Sequence, residues 1–279
     1  MLDYLYVMDK QEVSAFIEAN RNLWNKRTSA HVDSEFYDVK SFLDGKSSLN
    51  KFELDLLGDI NGKSLLHLQC HFGQDTLSLA RMGAKTSGVD FSATAVEAAR
   101  NLNDQLGLKS KFYCNDVFET RKYLSETFDI VFTSYGTIGW LPKLQPWAKV
   151  VAESLNTNGI FVMCDFHPFV WIMDEEYRTI KYSYFNLEVI ESETTGSYAS
   201  HPNLHEPLKE FGWNHSFSDL LGALLAEGLQ LEIFNEYDGS PYNCFPEMEI
   251  GTDGLFRFSH WGKKIPLVYG IRFRKLQRF

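Results

Sequence analysis

The segment Leu66-His67-Leu68-Gln69-Cys70-His71-Phe72-Gly73-Gln74-Asp75-Thr76 joins a short apolar run to a helix-like stretch. A strand-to-helix turn of this kind presents backbone N–H groups and a helix N-terminus to a ligand. Gly73 lets the main chain approach closely, Asp75 and Thr76 enter the helix, and Gln69 and His71 add polar side chains. One glycine is also all that an ordinary structural turn requires, so the signal needs support. Asp90 gives it. It closes Ser87-Gly88-Val89-Asp90 ahead of Phe91-Ser92, where a carboxylate can accept both ribose hydroxyls of an adenosine-containing ligand. The competing role is a helix cap, but Ser92 is better placed for that. Asp116, in Tyr113-Cys114-Asn115-Asp116-Val117, adds an acceptor for an adenine amine, with Val117 packing on the ring. Its bland alternative is a solvated turn residue.

A second group lies further along. Ser134-Tyr135-Gly136-Thr137 and Asp165-Phe166-His167-Pro168 follow two apolar runs, and Trp213-Asn214-His215 comes later. His167 is the first candidate for a general base and His215 the second, although a hydrogen-bonded turn histidine explains each equally well. Tyr135, Trp140, Phe166, Phe169, Trp171, Tyr184 and Trp213 can line an apolar or cation-accepting pocket, or simply fill a core. A metal site is disfavoured. His67 and His71 lie on a strand and its turn rather than a helix, and His201 and His205 flank Pro202 with no cysteine nearby.

The elements needed to position these residues can be read from hydrophobic periodicity. Strands are expected at 64–68, 86–89, 111–114, 128–133 and 159–164, with helices at 75–81, 93–106 and 146–155 between them. That alternation indicates right-handed βαβ crossovers and a doubly wound, mostly parallel sheet. Helices at 10–26 and 49–59 precede it, with a polar, aromatic-dotted stretch over 27–48. A helix at 218–227 and strands at 229–237 and 266–274 close the chain, while an extended run at 182–192 is a further strand candidate. Segments 166–215 and 239–263 are long for loops in a compact domain and are read as inserts.

On these residues, the run 64–165 resembles the class I S-adenosylmethionine (SAM)-dependent methyltransferases. It matches their glycine-rich turn, the acids after strands two and three, the strand Phe128-Asp129-Ile130-Val131-Phe132-Thr133-Ser134 and the Asn158-Gly159 turn before strand five. The resemblance implies a Rossmann-like seven-stranded sheet with an antiparallel final strand, forming one domain over residues 1–279. Within it, 1–60 would form an N-terminal helical lid and 61–165 the SAM-binding core. Residues 166–215 and 239–263 would form substrate-cap inserts, and 216–238 and 264–279 the end of the sheet. It implies direct in-line methyl transfer from SAM to a small-molecule acceptor. Gln69, His71, Gly73, Asp75 and Thr76 would hold the cofactor from the first turn, and Asp90, Phe91 and Ser92 from the second. Asn115, Asp116 and Val117 would flank the adenine, and Ser134 and Tyr135 the methyl end. Trp24, Phe36 and Tyr37 would form the lid. The acceptor pocket would sit beyond strands four and five.

One departure stands out. The family turn usually carries three glycines, and the aligned positions here are Gln69, His71 and Gly73, while His67 stands where an acid is common. Either these side chains hold the cofactor or binding has been lost, and the two acids in register favour retention. A nicotinamide-dependent oxidoreductase and a non-catalytic SAM-binding protein are the alternatives. The formal net charge of −10 argues against nucleic acid. The basic tail Arg272, Arg274, Lys275 and Arg278 reads as a strand face. No apolar run reaches the ~20 residues of a membrane span. Four dispersed cysteines and a start without a secretory pattern suit the cytoplasm.

Overall fold

The computed structural model describes residues 10–185, 188–199 and 207–277. Its helices are α1 (Lys10–Val32), α2 (Val39–Leu43), α3 (Lys51–Leu57), α4 (Gln74–Arg81), α5 (Ala93–Gln105), α6 (Thr120–Tyr123), α7 (Leu144–Ser154) and α8 (Phe217–Ala226). Five strands alternate with the central helices: β1 (Ser64–Leu68), β2 (Lys85–Asp90), β3 (Lys111–Cys114), β4 (Phe128–Ser134) and β5 (Leu155–Phe166). The remaining strands are β6 (Ile190–Thr194), β7 (Leu208–Gly212), β8 (Leu229–Tyr237), β9 (Met248–Ile250), β10 (Phe256–Phe258) and β11 (Val268–Lys275).

Seven strands form one sheet in the order β3-β2-β1-β4-β5-β11-β8. The pairs from β3 through β5 are parallel, and β11 runs antiparallel to both β5 and β8. Parallel strands buried on both faces must be apolar along their length. Leu65, Leu66, Val131, Phe132, Phe161 and Val162 are all fully buried, and helices cover them from either side. On one face α7 and α8 bring Trp147, Val151, Leu220 and Leu224 against Phe161, Tyr269 and Phe273. On the other, Leu56, Leu57 and Ile60 meet Ile130, Phe132 and Val162. The expected mostly parallel seven-stranded sheet with an antiparallel final strand is the observed one.

The differences lie outside the sheet. α1 continues to Val32, six residues past the expected end at 26. Its inner face holds Leu23, Arg27 and His31 at four-residue spacing, all buried. Two of the three are polar, so hydrophobic periodicity lost the helix where it turns toward the site. The candidate strand over 182–192 is confined to its last residues, as β6, which pairs antiparallel with β7. Within 239–263, β9 and β10 make a small hairpin. Arg257 orders it, bonding Asp238 at 2.6 Å and Asp253 at 2.7 Å. Tail residue Lys275 donates to the Ala152 and Leu155 carbonyls at the end of α7, and Arg272 pairs with Glu232. Arg278, His201 and His205 lie outside the described residues.

Candidate active site

At the carboxyl ends of β1, β2, β3, β4 and β5, a cavity of about 890 Å³ opens under α1 and both inserts. Small-molecule pockets run to roughly 300–1,000 Å³, so this one has room for a cofactor and a second ligand.

The β1–α4 turn forms its floor. Gln69 (φ 57°), His71 (φ 50°) and Gly73 (φ 81°) all adopt the left-handed conformation. Glycine takes this shape freely, whereas a side chain costs about 1–2 kcal/mol. The backbone therefore keeps the alternating left-handed shape, although two of its three positions are not glycine. Hydrogen bonds hold the two exceptions. Gln69 Nε2 donates to the Thr137 carbonyl at 2.9 Å, and the His71 N–H donates to Asp90 Oδ2 at 2.8 Å. The His71 ring meets His31 Nδ1 at 2.9 Å, and His31 Nε2 lies 2.8 Å from Ser197 Oγ. Burial, then Arg27, pushes His31 down to about 4, and burial, then His31, holds His71 well below the usual imidazole range. Both rings are neutral at physiological pH, so one donates to the other without charge repulsion. At Gly73 the space is also closed: a Cβ would stand 2.8 Å from the Phe112 ring.

Asp90 ends β2 facing the cavity, its Oδ1 accepting from the Ser92 N–H at 2.9 Å. Burial raises its pKa to about 6, against the pull of these backbone donors. Ser92 caps α5 through the Ala95 N–H, as expected of the better-placed cap. Phe91, Asn115, Asp116 and Val117 line the same end of the cavity. One Asp116 oxygen accepts from the Phe118 N–H at 3.0 Å. Gln69, Asp75, Ser134 and Tyr135 line the middle, and Gln69 Oε1 is buried there without a hydrogen-bond partner among the described residues. Ser134 Oγ donates to Asp75 at 3.0 Å.

Five expected positions need correction. Thr76 does not line the cavity, because its hydroxyl is buried against His67 Nδ1 at 2.8 Å. Ser92 is likewise turned inward, onto its cap and Asn25. His167 stands at the end of β5 but outside the cavity wall, with both ring nitrogens engaged. Nδ1 accepts from the Phe169 N–H at 3.0 Å, so Nε2 donates to Glu236 at 2.8 Å. It ties β5 to β8 and has no nitrogen free for a substrate. Phe169 and Tyr184 also lie off the wall. His215 does line it, with Nε2 donating to the Leu141 carbonyl at 2.7 Å, which leaves Nδ1 as the basic nitrogen. Burial lowers its pKa.

Trp24, Phe36, Tyr37, Tyr135, Trp140, Phe166, Trp171 and Trp213 all face the cavity. Several groups there carried no motif. Asn20 on α1 exchanges two hydrogen bonds with the Phe211 backbone, at 2.7 and 3.0 Å, clamping α1 to the β6–β7 hairpin. Arg27 pairs with Glu210 at 2.6 Å. Tyr198, Tyr242, Cys244 and Phe245 complete the far wall. Of these groups, Arg27 alone had a sequence signal, its four-residue spacing with Leu23 and His31 on α1. Among the described residues no cluster of His, Cys, Asp and Glu could hold a metal, and no helix is long and apolar enough to cross a membrane. Cys70 and Cys164 are buried, while Cys114 is exposed.

Residues 65–159 match the methyltransferase domain family. A DhpI–SAH complex aligns with 95% of this chain and 99% of its own, at 16% identity and a TM-score of 0.57. A SAM-dependent methyltransferase of Mesorhizobium loti aligns over 83% and 99%, at 18% identity and a TM-score of 0.54. The fold is that of the class I SAM-dependent methyltransferases. An uncharacterised methyltransferase of Synechocystis is 29% identical over 130 residues, covering 46% of this chain and 59% of the relative. Ubiquinone biosynthesis O-methyltransferase of Coxiella burnetii is 25% identical over 158 residues, covering 54% and 60%. The chain spans about three-fifths of the length of these curated relatives.

Proposed function

We propose that this chain transfers a methyl group from SAM to a small-molecule acceptor held in the same cavity. The observation that carries the reading is the left-handed turn at Gln69, His71 and Gly73, locked to Asp90 through the His71 N–H. It preserves the cradle's backbone and fixes the acid beside it.

SAM, when bound, supplies an electrophilic methyl on a sulfonium. The chain's own residues bind and orient. Asp90 accepts from the ribose hydroxyls, Asp116 accepts from the adenine amine, and Phe91 and Val117 cover the ring. Gln69 offers its unpaired Oε1 to the methionine end, next to Ser134 and Tyr135. Trp140, Trp213 and Tyr135 exclude water where the methyl moves, and holding the reactants aligned lowers the barrier by several kcal/mol, roughly 7–11 at most. His215 Nδ1 is the nitrogen available to hold a proton on that side, and His167 has no part in it.

A nicotinamide oxidoreductase is disfavoured by the sheet itself. β11 lies antiparallel between β5 and β8, whereas dinucleotide folds continue with parallel strands in the order 3-2-1-4-5-6. Thermal melting with SAH and with NADH tests the assignment. Stabilisation by SAH alone is expected, and stabilisation by NADH alone overturns it. Turnover of [methyl-³H]SAM with an amine and phenol panel separates an enzyme from a binding protein.

A further inference from the structure

The cavity's cations are both neutralised within the protein. Among the described residues lining it, Arg27 is paired with Glu210 at 2.6 Å and Lys46 with Asp38 at 3.3 Å. Acids exceed them. Asp165 is held by the Gly136 and Phe166 N–H groups, Asp174 by Thr179, and Glu175 by Lys181. Asp90 and Asp116 are assigned above to the cofactor. Asp75, which the family resemblance would give to the cofactor, faces the cavity with two serine hydroxyls, Ser48 and Ser134, and no cation beside it among the described residues.

Aromatic rings line the same cavity as that carboxylate, Tyr37, Tyr135, Tyr198 and Tyr242 among them. Tyr135 and Tyr242 meet edge to face at 4.9 Å, and Phe36 lies 5.2 to 5.8 Å from Tyr37, Tyr198 and Tyr242. The Tyr37 and Tyr198 hydroxyls touch at 2.5 Å. The Tyr135 hydroxyl is buried on the side of Glu53, so its ring is what this residue offers the cavity. Ring faces attract cations, and a carboxylate among them adds the full charge.

Resting on the methyltransferase reading, we propose that the acceptor is an amine with an aromatic or apolar body, bound as its ammonium against Asp75 inside this ring of phenols. The ammonium gives one N–H proton to the Asp75 carboxylate. The freed lone pair then forms the N–CH₃ bond while the C–S bond breaks, its electron pair returning to sulfur to leave SAH and a methylated ammonium. Burial raises the Asp75 pKa, which suits it to take that proton. Carboxylate and phosphate acceptors find no free cation among the described residues here.

The test is calorimetry on SAH-saturated protein with three molecules of one shape and different charge: phenethylamine, phenethyl alcohol and phenylacetate. Phenethylamine should bind at least about tenfold more tightly than phenylacetate, the worth of one charged hydrogen bond. Asp75→Asn should remove about tenfold of amine affinity while leaving the alcohol and SAH unchanged. Equal binding of the three, preference for phenylacetate, or no binding of any overturns the proposal. So does an Asp75→Asn variant that loses SAH affinity instead, which gives the carboxylate to the cofactor's own ammonium. Failure of wild-type protein to bind SAH is a different result: it removes the methyltransferase reading itself.

Discussion

Glu53→Gln should stabilise the protein, and by an amount that grows with pH. Glu53 sits on α3, fully buried behind Tyr135, with Oε1 accepting from Asn50 at 3.4 Å and the Tyr135 hydroxyl beside the carboxyl. Burial, reinforced by Asp75, raises its pKa from 4.5 to about 8. The folded protein therefore keeps a proton that the unfolded chain releases above pH 4.5. Between about 4.5 and 8 the unfolded state binds fewer protons, so stability falls as pH rises, by up to ~1.4 kcal/mol per pH unit. By pH 7 the loss is about 3 kcal/mol, and below pH 4.5 it is absent. Glutamine has nearly the same shape and no proton to lose. Urea melts of both proteins at pH 5 and pH 7 measure the difference, and other titrating groups cancel between them. The stability gap should widen by about 2.5 kcal/mol over that range, in favour of the variant. A gap independent of pH would refute the reasoning, since Glu53 would then titrate alike in both states.

Other expectations follow from single contacts. Gly73→Ala forces a Cβ to within 2.8–2.9 Å of Phe112 at φ 81° and should cost about 2–4 kcal/mol of stability in denaturant melts. An unchanged midpoint would mean that the turn can reshape. His167→Ala breaks the link between β5 and Glu236 and should lower the melting temperature while leaving kcat nearly intact in the folded fraction. A large fall in kcat at unchanged stability would return His167 to the chemistry. Asp116→Ala should weaken SAH binding by about 1 kcal/mol, less than loss of Asp90, because its partner is a neutral amine. Titration calorimetry separates the two.

The sheet was legible because it obeys two simple periods. The buried apolar strand Phe128–Ser134 and the alternating edge strand Leu229–Tyr237 sit between amphipathic helices, and backbone geometry follows from that pattern. The acids were legible as well, since Asp90 and Asp116 stand at strand ends where an open α/β sheet receives ligands. His167 was misassigned for a reason that position alone cannot reveal. It follows β5 as expected, but Glu236, sixty-nine residues later, draws its ring to the other side of the strand. Thr76 and Ser92 were misread similarly, because a hydroxyl at a helix start serves a cap or a buried histidine as readily as a ligand. The far wall was illegible. Tyr198, Tyr242 and Phe245 lie in irregular segments without period, and their place on the cavity wall depends on how the inserts fold back.

The central claim is that Asp90 and the left-handed turn hold the adenosine end of SAM. Calorimetric titration of SAH into wild type and Asp90→Ala, repeated from pH 5 to pH 8, tests it most directly. Wild type should bind at neutral pH and weaken as pH falls below about 6, where Asp90 takes up its proton. The alanine variant should bind about 1.5–3 kcal/mol more weakly at pH 7.5 and lose that pH dependence. An Asp90→Ala protein that stays folded and binds SAH with wild-type affinity and wild-type pH dependence would contradict the account.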